Sequence, residues 1–149
     1  MKIAIGNDHG GVELKQHVVQ YLEGKGYEVI NLGTDSTAST SYPIYAQRVA
    51  KVVLAGEADY GILICGTGIG ISIAANKIDG VRCALCSEPV SARLAREHNN
   101  ANIVAMGART IGPVMAEGIV DVFLNTAFEG GRHALRVAMF EKLEKGEEL

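Results

Sequence analysis

ILICGTGIGISIAANK, residues 62–77, contains an apolar run that reaches Cys65, three glycines at alternate positions, and then a small apolar segment of helical character. A strand, a glycine turn and a helix in this order are typical of α/β folds. The turn presents backbone N–H groups at the start of a helix, and such a row of donors suits an anion. A cysteine at the point of the turn needs an explanation of its own.

The rest of the chain repeats the alternation of strand and helix. Helical patterns such as Leu14, Val18 and Leu22 on one face separate short runs rich in Val and Ile. This alternation predicts right-handed βαβ crossovers and an α/β fold whose parallel sheet is covered by helices on both faces. One helix is predicted to start near Gly70 and another to span residues 87–97. The five predicted strands contain KIAIG, YEVINL, YGILIC, VRCALC and NIVAM.

Length and composition restrict the class of protein. The 149 residues predict one domain, residues 1–149, and the net charge of −3 gives no basic face for nucleic acid. No apolar stretch is long enough for a bilayer, and MKIAIGNDHGG is a poor signal peptide. We therefore expect a cytoplasmic protein, with no membrane partner and with reduced cysteines.

Cys83 and Cys86 form a C-x-x-C motif, a spacing that also occurs in redox and metal sites. Both lie in a predicted strand, where side chains three positions apart point to opposite faces. The chain has no second cysteine pair to complete a zinc site. We therefore expect two small buried residues here, and no metal ligands.

Polar side chains follow the predicted strands at their carboxyl ends, where ligands bind in open parallel sheets. Neither nucleotide motif fits the glycines there. The dinucleotide fingerprint needs a glycine at position 71, which is Ile71, and a P-loop needs Ser or Thr after Lys77, where Ile78 stands. The candidate ends are residues 7–10, 65–68, 87–88 and 107–109.

Cys65 is the strongest single candidate for chemistry. A thiolate at a helix start can act as a base or a nucleophile, and the adjacent N–H groups can hold a developing oxyanion. The alternative is a strand-end cysteine that merely packs. Together with the glycine turn and Thr67, the catalytic interpretation is favoured.

Two further pairs are ambiguous. Asp8 and His9 form an acid–imidazole pair, but Asp8 also suits a helix N-cap. His98 and Asn99 end a predicted helix, where the alternative is a histidine favoured by the helix dipole and a left-handed Asn99. His17, inside a helix, is predicted to face solvent without a role.

GGRHALR, residues 130–136, is more informative. Arg132 and Arg136 are four residues apart and share a helix face, with His133 beside them. Paired guanidinium groups bind phosphate, and Arg109 is a further candidate, although solvated surface arginines are the alternative. The combined inventory predicts proton transfer, without a metal or other cofactor, on a small phosphorylated substrate.

The chain closely resembles the type B ribose-5-phosphate isomerases, within the wider group that includes the galactose-6-phosphate isomerase subunits. The shared motifs occur in order over nearly the whole chain, and CGTGIGISIAANK is highly specific. They are IAIGNDHGG, YEVINLGT, SYP, GILICGTGIGISIAANK, CSEP, EHNNANI, GAR and FEGGRHALRV.

The resemblance implies a Rossmann-like three-layer fold with five parallel strands. It also implies a homodimer, sometimes a tetramer, whose active sites are shared and whose last helix reaches over the partner. The implied reaction is aldose–ketose isomerisation through an enediolate. Cys65 would be the base between C1 and C2, and Thr67 and His98 would serve ring opening. The implied substrate-binding residues are Asp8, Tyr42 and Asn99 for the sugar, Gly66, Gly68, Ile69 and Gly70 of the anion hole, and His9, Arg109, Arg132, His133 and Arg136 around the phosphate.

Two positions depart from the family pattern. The isomerases commonly carry Asp where this chain has Ser41, and Asp where it has Asn100. The loss of two carboxylates near the sugar leaves open a hexose 6-phosphate, such as allose or galactose 6-phosphate, as the alternative to ribose 5-phosphate. A binding module without catalysis is a rival from another class, but binding alone would not need Cys65, Thr67 and His98.

Overall fold

The computed structural model describes all 149 residues, which form five strands and six helices in strict alternation until the last two helices. No helix combines the length and the apolar character that a membrane span requires. The elements are β1 Lys2–Asn7, a 3-10 turn His9–Gly11, α1 Val12–Gly24, β2 Glu28–Asn31, α2 Tyr42–Leu54, β3 Tyr60–Cys65, α3 Ile69–Ala75, β4 Cys83–Leu85, α4 Pro89–Asn99, β5 Ile103–Gly107, α5 Pro113–Asn125 and α6 Arg132–Glu144.

All five strands are parallel, in the order β2-β1-β3-β5-β4. Alternate residues of each central strand face opposite layers, as the period of two requires. Ile3 and Ile5 of β1 belong to the core layer that also contains residues of α1, α4 and α5, whereas Ala4 between them belongs to the layer of α2 and α3. The predicted α/β fold, with a parallel sheet between two helical layers, is confirmed. The last helix, α6, packs against α4.

Some predicted boundaries are wrong by a residue or two. The helix predicted for residues 87–97 spans Pro89–Asn99, because the Glu88 carboxylate accepts from the N–H groups of Val90 and Ser91 and caps it. The left-handed residue that ends it is Asn100, with φ 47°, and not Asn99. The helix after the glycine turn starts at Ile69, next to the predicted Gly70.

His17 does not simply face solvent. Its Nε2 lies 2.7 Å from Oε1 of Glu117, and the contact joins α1 to α5. The imidazole therefore has a structural partner, which the helical pattern of α1 alone did not reveal.

Candidate active site

The carboxyl ends of β1, β3 and β5 are held together by backbone hydrogen bonds. The N–H of Asp8 donates to the carbonyl of Ile64 at 3.2 Å, and the N–H of Ala108 donates to that of Cys65 at 2.9 Å. The chain leaves β1 and β3, which are neighbours, toward opposite sides of the sheet. Such a switch point opens a crevice beyond the strand ends, where α/β proteins bind ligands.

The turn after β3 wraps around the sulfur of Cys65. Gly68, with φ 76°, donates its N–H to Cys65 Sγ at 3.1 Å, and Cys65 is 5% exposed. Thr67 Oγ1 accepts from the N–H of Ile69 at 3.2 Å. Several N–H groups of the turn and of the first turn of α3 have no acceptor in the chain, as expected at a helix start. They belong to Gly66, Thr67, Gly70 and Ile71.

Two side chains close over this turn because glycines let them approach. A methyl group on Gly70 would lie 2.7 Å from the ring of Tyr42, and one on Gly66 would lie 3.2 Å from the guanidinium of Arg109. Real Cβ contacts are rarely this short. The turn therefore lies between an aromatic ring and a cation, and both were predicted as site residues.

Asp8 and His9 stand at the same edge. Asp8 is buried, and its Oδ1 accepts from the N–H of Gly10 at 2.9 Å, so it caps the 3-10 turn as the structural alternative predicted. His9 Nδ1 accepts from the N–H of Thr40 at 3.2 Å. This hydrogen bond leaves the proton of a neutral His9 imidazole on Nε2.

A second group of predicted residues gathers around the end of α4 and the start of α6. The rings of His98 and His133 stack in parallel, with centroids 4.3 Å apart and planes 10° apart. Glu129 Oε2 lies 3.5 Å from His133 Nε2 and 4.0 Å from His98 Nε2. Burial, and then the nearby charges of His98 and Arg132, lower the pKa of His133, which favours its neutral form.

Within one chain these two groups lie at opposite ends of the strands. The Cys65 group lies at their carboxyl ends, here named the carboxyl edge, and the His98 group lies at their amino ends, here named the amino edge. Cys65 pairs with Gly107, the last residue of β5, whereas His98 and Asn99 precede Ile103, the first residue of that strand. Four residue steps of parallel strand correspond to about 13 Å. The chain thus brings Cys65, Thr67, Asp8, His9, Tyr42 and Arg109 together, and separately His98, Asn99, Arg132, His133 and Arg136.

The three candidate phosphate-binding arginines have no partner in the chain. Arg109, Arg132 and Arg136 are exposed, and none of their guanidinium groups makes a hydrogen bond or an ion pair. By contrast, Arg93 pairs with Glu97, and buried Arg96 bonds to four neighbouring groups. Arginines without a structural partner are available to an anion.

The other two cysteines differ from Cys65 in environment. Cys86 packs in the layer of α1, α4 and α5 and Cys83 against the layer of α2 and α3, so the predicted opposite orientation is confirmed. Cys86 is buried as predicted, whereas Cys83 is only half-buried. Burial raises the pKa of Cys83 to about 12 and that of Cys86 to about 11. Both thiols stay protonated at neutral pH, which suits packing and not chemistry.

The sequence profile of the Ribose/Galactose Isomerase family matches residues 3–140. The chain belongs to this family. It is 52% identical to ribose-5-phosphate isomerase B of Escherichia coli, over 97% of each chain. It is 44% identical to the galactose-6-phosphate isomerase subunit LacB of Clostridium acetobutylicum, over 87% of this chain and 75% of the relative. The Clostridium thermocellum ribose-5-phosphate isomerase B structure superposes with a TM-score of 0.96 at 51% identity, covering 98% of this chain and 99% of that one.

The two departures from the pattern of the ribose/galactose isomerases differ in position. Ser41 is exposed at the start of α2, next to Tyr42 at the carboxyl edge, and its side chain does not cap the helix. Asn100 Oδ1 accepts from Arg96 at 3.0 Å, at the amino edge. Within the chain, Asn100 therefore supports the scaffold. The loss of a sugar contact at Ser41 and at Asn100 stays a prediction.

Two residues of the site regions, Glu129 and Asn7, received no role from the sequence. Glu129 lies in an irregular segment without periodicity, and only its four-residue spacing from His133 could have indicated contact. Asn7 is fully buried and its Nδ2 donates to the carbonyls of Asp8 and Thr34, which ties the end of β1 to the loop after β2. An amide directly before the predicted Asp8–His9 pair was the available signal.

Proposed function

We propose that this chain is a ribose-5-phosphate isomerase, which interconverts ribose 5-phosphate and ribulose 5-phosphate through an enediolate. The observation that carries the proposal is the buried Cys65 sulfur, 3.1 Å from the N–H of Gly68, within a turn rich in unpaired N–H groups. A base beside preorganised donors lowers the barrier to enolisation, because negative charge forms next to groups that already stabilise it. The ribose-5-phosphate isomerase B relatives, similar over nearly their whole length, support the same reaction.

The proposed reaction begins with ring opening, assisted by Thr67 and His98, since only the open chain has an acidic C–H beside a carbonyl. The Cys65 thiolate then takes the proton from C2, and the electron pair moves to the C1 oxygen. Donors of the turn 66–70 stabilise this oxyanion. The proton of the C2 hydroxyl passes to the C1 oxygen, and the Cys65 thiol returns its proton to C1. The products are a ketose and the starting thiolate, so atoms and charge balance.

Substrate binding is assigned to residues of both groups. Tyr42, beside the turn, and Asp8 would line the sugar together with Asn99. His9 and the unpaired Arg109, Arg132 and Arg136 would hold the phosphate, with His133 close by. Guanidinium groups bind phosphate through two parallel hydrogen bonds, which explains why arginines without a protein partner suit the role.

We propose that the active enzyme is a homodimer, because the two groups lie at opposite edges of one chain. A second copy would supply His98, Asn99, Arg132 and Arg136 to the Cys65 turn, with α6 reaching over its partner. Exposed apolar side chains support this assembly, since soluble monomers rarely expose large apolar patches. On α6 they are Leu135, Met139 and Leu143, and around the carboxyl edge Tyr42, Ile44, Ile69, Ile73 and Leu85. Pairing of dimers into a tetramer is compatible with this site but not required by it.

The remaining proposals are one domain over residues 1–149, a cytoplasmic location and no cofactor. A reduced Cys65 is needed for the proposed proton transfer, and the cytoplasm keeps thiols reduced. All three cysteines are unpaired in the structure.

The alternative function is isomerisation of a hexose 6-phosphate by the same mechanism. One observation favours it, the replacement of the usual Asp by Ser41 beside Tyr42. The galactose-6-phosphate isomerase subunit LacB of Clostridium acetobutylicum is also similar, at 44% identity over 87% of this chain.

The deciding experiment measures ketose formation from ribose 5-phosphate, allose 6-phosphate, galactose 6-phosphate and unphosphorylated ribose, with EDTA present. We expect ribose 5-phosphate to turn over well above the others, and unphosphorylated ribose hardly at all because the arginines lose their ligand. Turnover of a six-carbon phosphate alone would keep the mechanism and replace the substrate. No turnover of any of them would overturn the proposal.

A further inference from the structure

His98, Glu129 and His133 form a compact group of metal-ligating side chains, here named the His-Glu-His cluster. They come from three segments, namely the last turn of α4, the irregular segment after α5, and the first turn of α6. Their candidate ligand atoms, two imidazole nitrogens and one carboxylate oxygen, all lie within 4.8 Å of one another. The proposed reaction uses the position of His98 but assigns Glu129 no role.

The imidazole nitrogens of the cluster are available. Neither imidazole makes a hydrogen bond in the chain, and the one carboxylate within 4.0 Å of each is that of Glu129. The two rings stack face to face, so their nitrogens lie near one another but their lone pairs do not converge until one ring rotates. His133 is nearly buried, whereas the side chains of His98 and Glu129 are partly exposed, so an ion can enter from solvent.

We propose that the His-Glu-His cluster binds one Zn²⁺ ion per chain and that the bound ion inhibits the enzyme. Two imidazole nitrogens and one carboxylate oxygen are a ligand set that zinc prefers, with an open fourth position for water. Calcium and magnesium need more oxygen ligands than the cluster offers. The ion is an inhibitor in this proposal and takes no part in the isomerisation.

One ring must leave the stack before the cluster can bind the ion, because two nearly parallel imidazole rings cannot both point an in-plane nitrogen lone pair at one metal. Ligands about 2.1 Å from a tetrahedral zinc lie about 3.4 Å from one another. The carboxylate oxygen is already 3.5 Å from His133 and 4.0 Å from His98. Rotation of the His98 ring out of the stack, together with rotation of the exposed Glu129 carboxylate, would bring the three ligands onto one ion. Arg132 and Arg136 lie near enough to His133 to repel a cation, so we expect weaker binding than at structural zinc sites.

The binding half of the proposal stands on the cluster alone, whereas the inhibition half rests on the proposed function. A dication held by His98 would occupy the imidazole that is proposed to open the sugar ring. It would also sit beside the arginines that are proposed to hold the phosphate. Zinc should therefore compete with the substrate, and EDTA should restore turnover.

Binding is tested by calorimetric titration of the full chain with ZnCl₂, without substrate. We expect one ion per chain, and at least a tenfold loss of affinity in both His133→Ala and Glu129→Gln. The matched control is His17→Ala, which removes a histidine paired with a single carboxylate, Glu117, and should leave the affinity within twofold. Circular dichroism checks that both variants fold. Because Glu129 is exposed, Glu129→Gln should keep the fold, and it decides the test if His133→Ala does not fold.

Three binding results would overturn the site. They are no binding by the wild type, equal affinity in Glu129→Gln, and a tenfold loss in Cys65→Ser, which would place the ion at the thiol. Inhibition is measured as the ratio of turnover with and without zinc within each variant. Glu129→Gln should need at least ten times more zinc than the wild type to lose half of its turnover. Binding without inhibition would overturn only the inhibitory role. If no aldose phosphate turns over, the proposed function fails while the binding result still decides the site.

Discussion

The two edges of the sheet hold the proposed site residues by different means. At the carboxyl edge, backbone hydrogen bonds and close glycine contacts fix the turn around the buried Cys65 sulfur. At the amino edge, Arg132 and Arg136 project from α6 without any protein partner. The difference indicates that one chain by itself fixes the groups for proton transfer. Its phosphate-binding arginines stay free to contact a substrate or a second chain.

The largest effect is expected when the sulfur at the carboxyl edge is removed. Cys65→Ala should lower turnover of ribose 5-phosphate by about 10²–10⁴-fold, the usual contribution of a general base. Binding of ribose 5-phosphate, measured by calorimetry, should persist because the N–H groups and the arginines remain. Cys83→Ala is the control, since that thiol lies in the α2 and α3 layer, and its turnover should stay near that of the wild type.

A catalytically silent binding module would give a different result. Cys65→Ala would then change neither binding nor a turnover that is already absent. Retention of more than a tenth of the wild-type turnover would show that another group removes the proton.

The second prediction tests whether the two edges act across a pair of chains. Cys65→Ala and His98→Ala should each be nearly inactive alone. In a mixed dimer, the intact Cys65 of one chain would meet the intact His98 of the other, and the second site would carry both substitutions. Random exchange of subunits makes about half of the dimers mixed, each with one intact site, so roughly a quarter of the wild-type turnover should return.

The measurement is turnover of an equimolar mixture after mild unfolding and refolding together. A mixture of Cys65→Ala with the double variant Cys65→Ala/His98→Ala is the control and should stay inactive. Turnover that remains at the level of the single variants, with mixed dimers demonstrated by mass spectrometry, would place both residues in one chain's site and sink the shared-site proposal.

The fold was largely predictable because periodicity reports burial directly. Strands with apolar residues on both faces, separated by amphipathic helices, leave few arrangements other than a parallel sheet between two layers. The carboxyl-edge residues were predictable for the same reason, since residues that follow parallel strands meet at one edge. Cys65, Asp8 and Arg109 therefore gathered as expected.

The contacts of the amino edge could not be predicted in this way. The stacking of His98 on His133 and the approach of Glu129 depend on how α6 packs against α4, and periodicity does not specify the packing of one helix on another. The hydrogen bond of Asn100 could not be predicted from the family pattern either. Its partner Arg96 lies one turn earlier in the same helix, whereas the pattern concerns only the expected sugar contact.

Asn100→Asp should have the smallest effect and separates the two departures from the family pattern. The Asp side chain would still accept from Arg96, whose guanidinium is buried and whose pKa is lowered by that burial. Turnover of ribose 5-phosphate should stay within about twofold, since a contact that supports the scaffold changes no charge at the reacting atoms. Ser41→Asp, at the carboxyl edge beside Tyr42, is the matched comparison. It restores the usual Asp and should raise the turnover of ribose 5-phosphate relative to that of hexose 6-phosphates. If Asn100→Asp instead raised turnover tenfold and Ser41→Asp did nothing, residue 100 would contact the sugar across the dimer beside Asn99. The assignment of Asn100 to the scaffold alone would then be wrong.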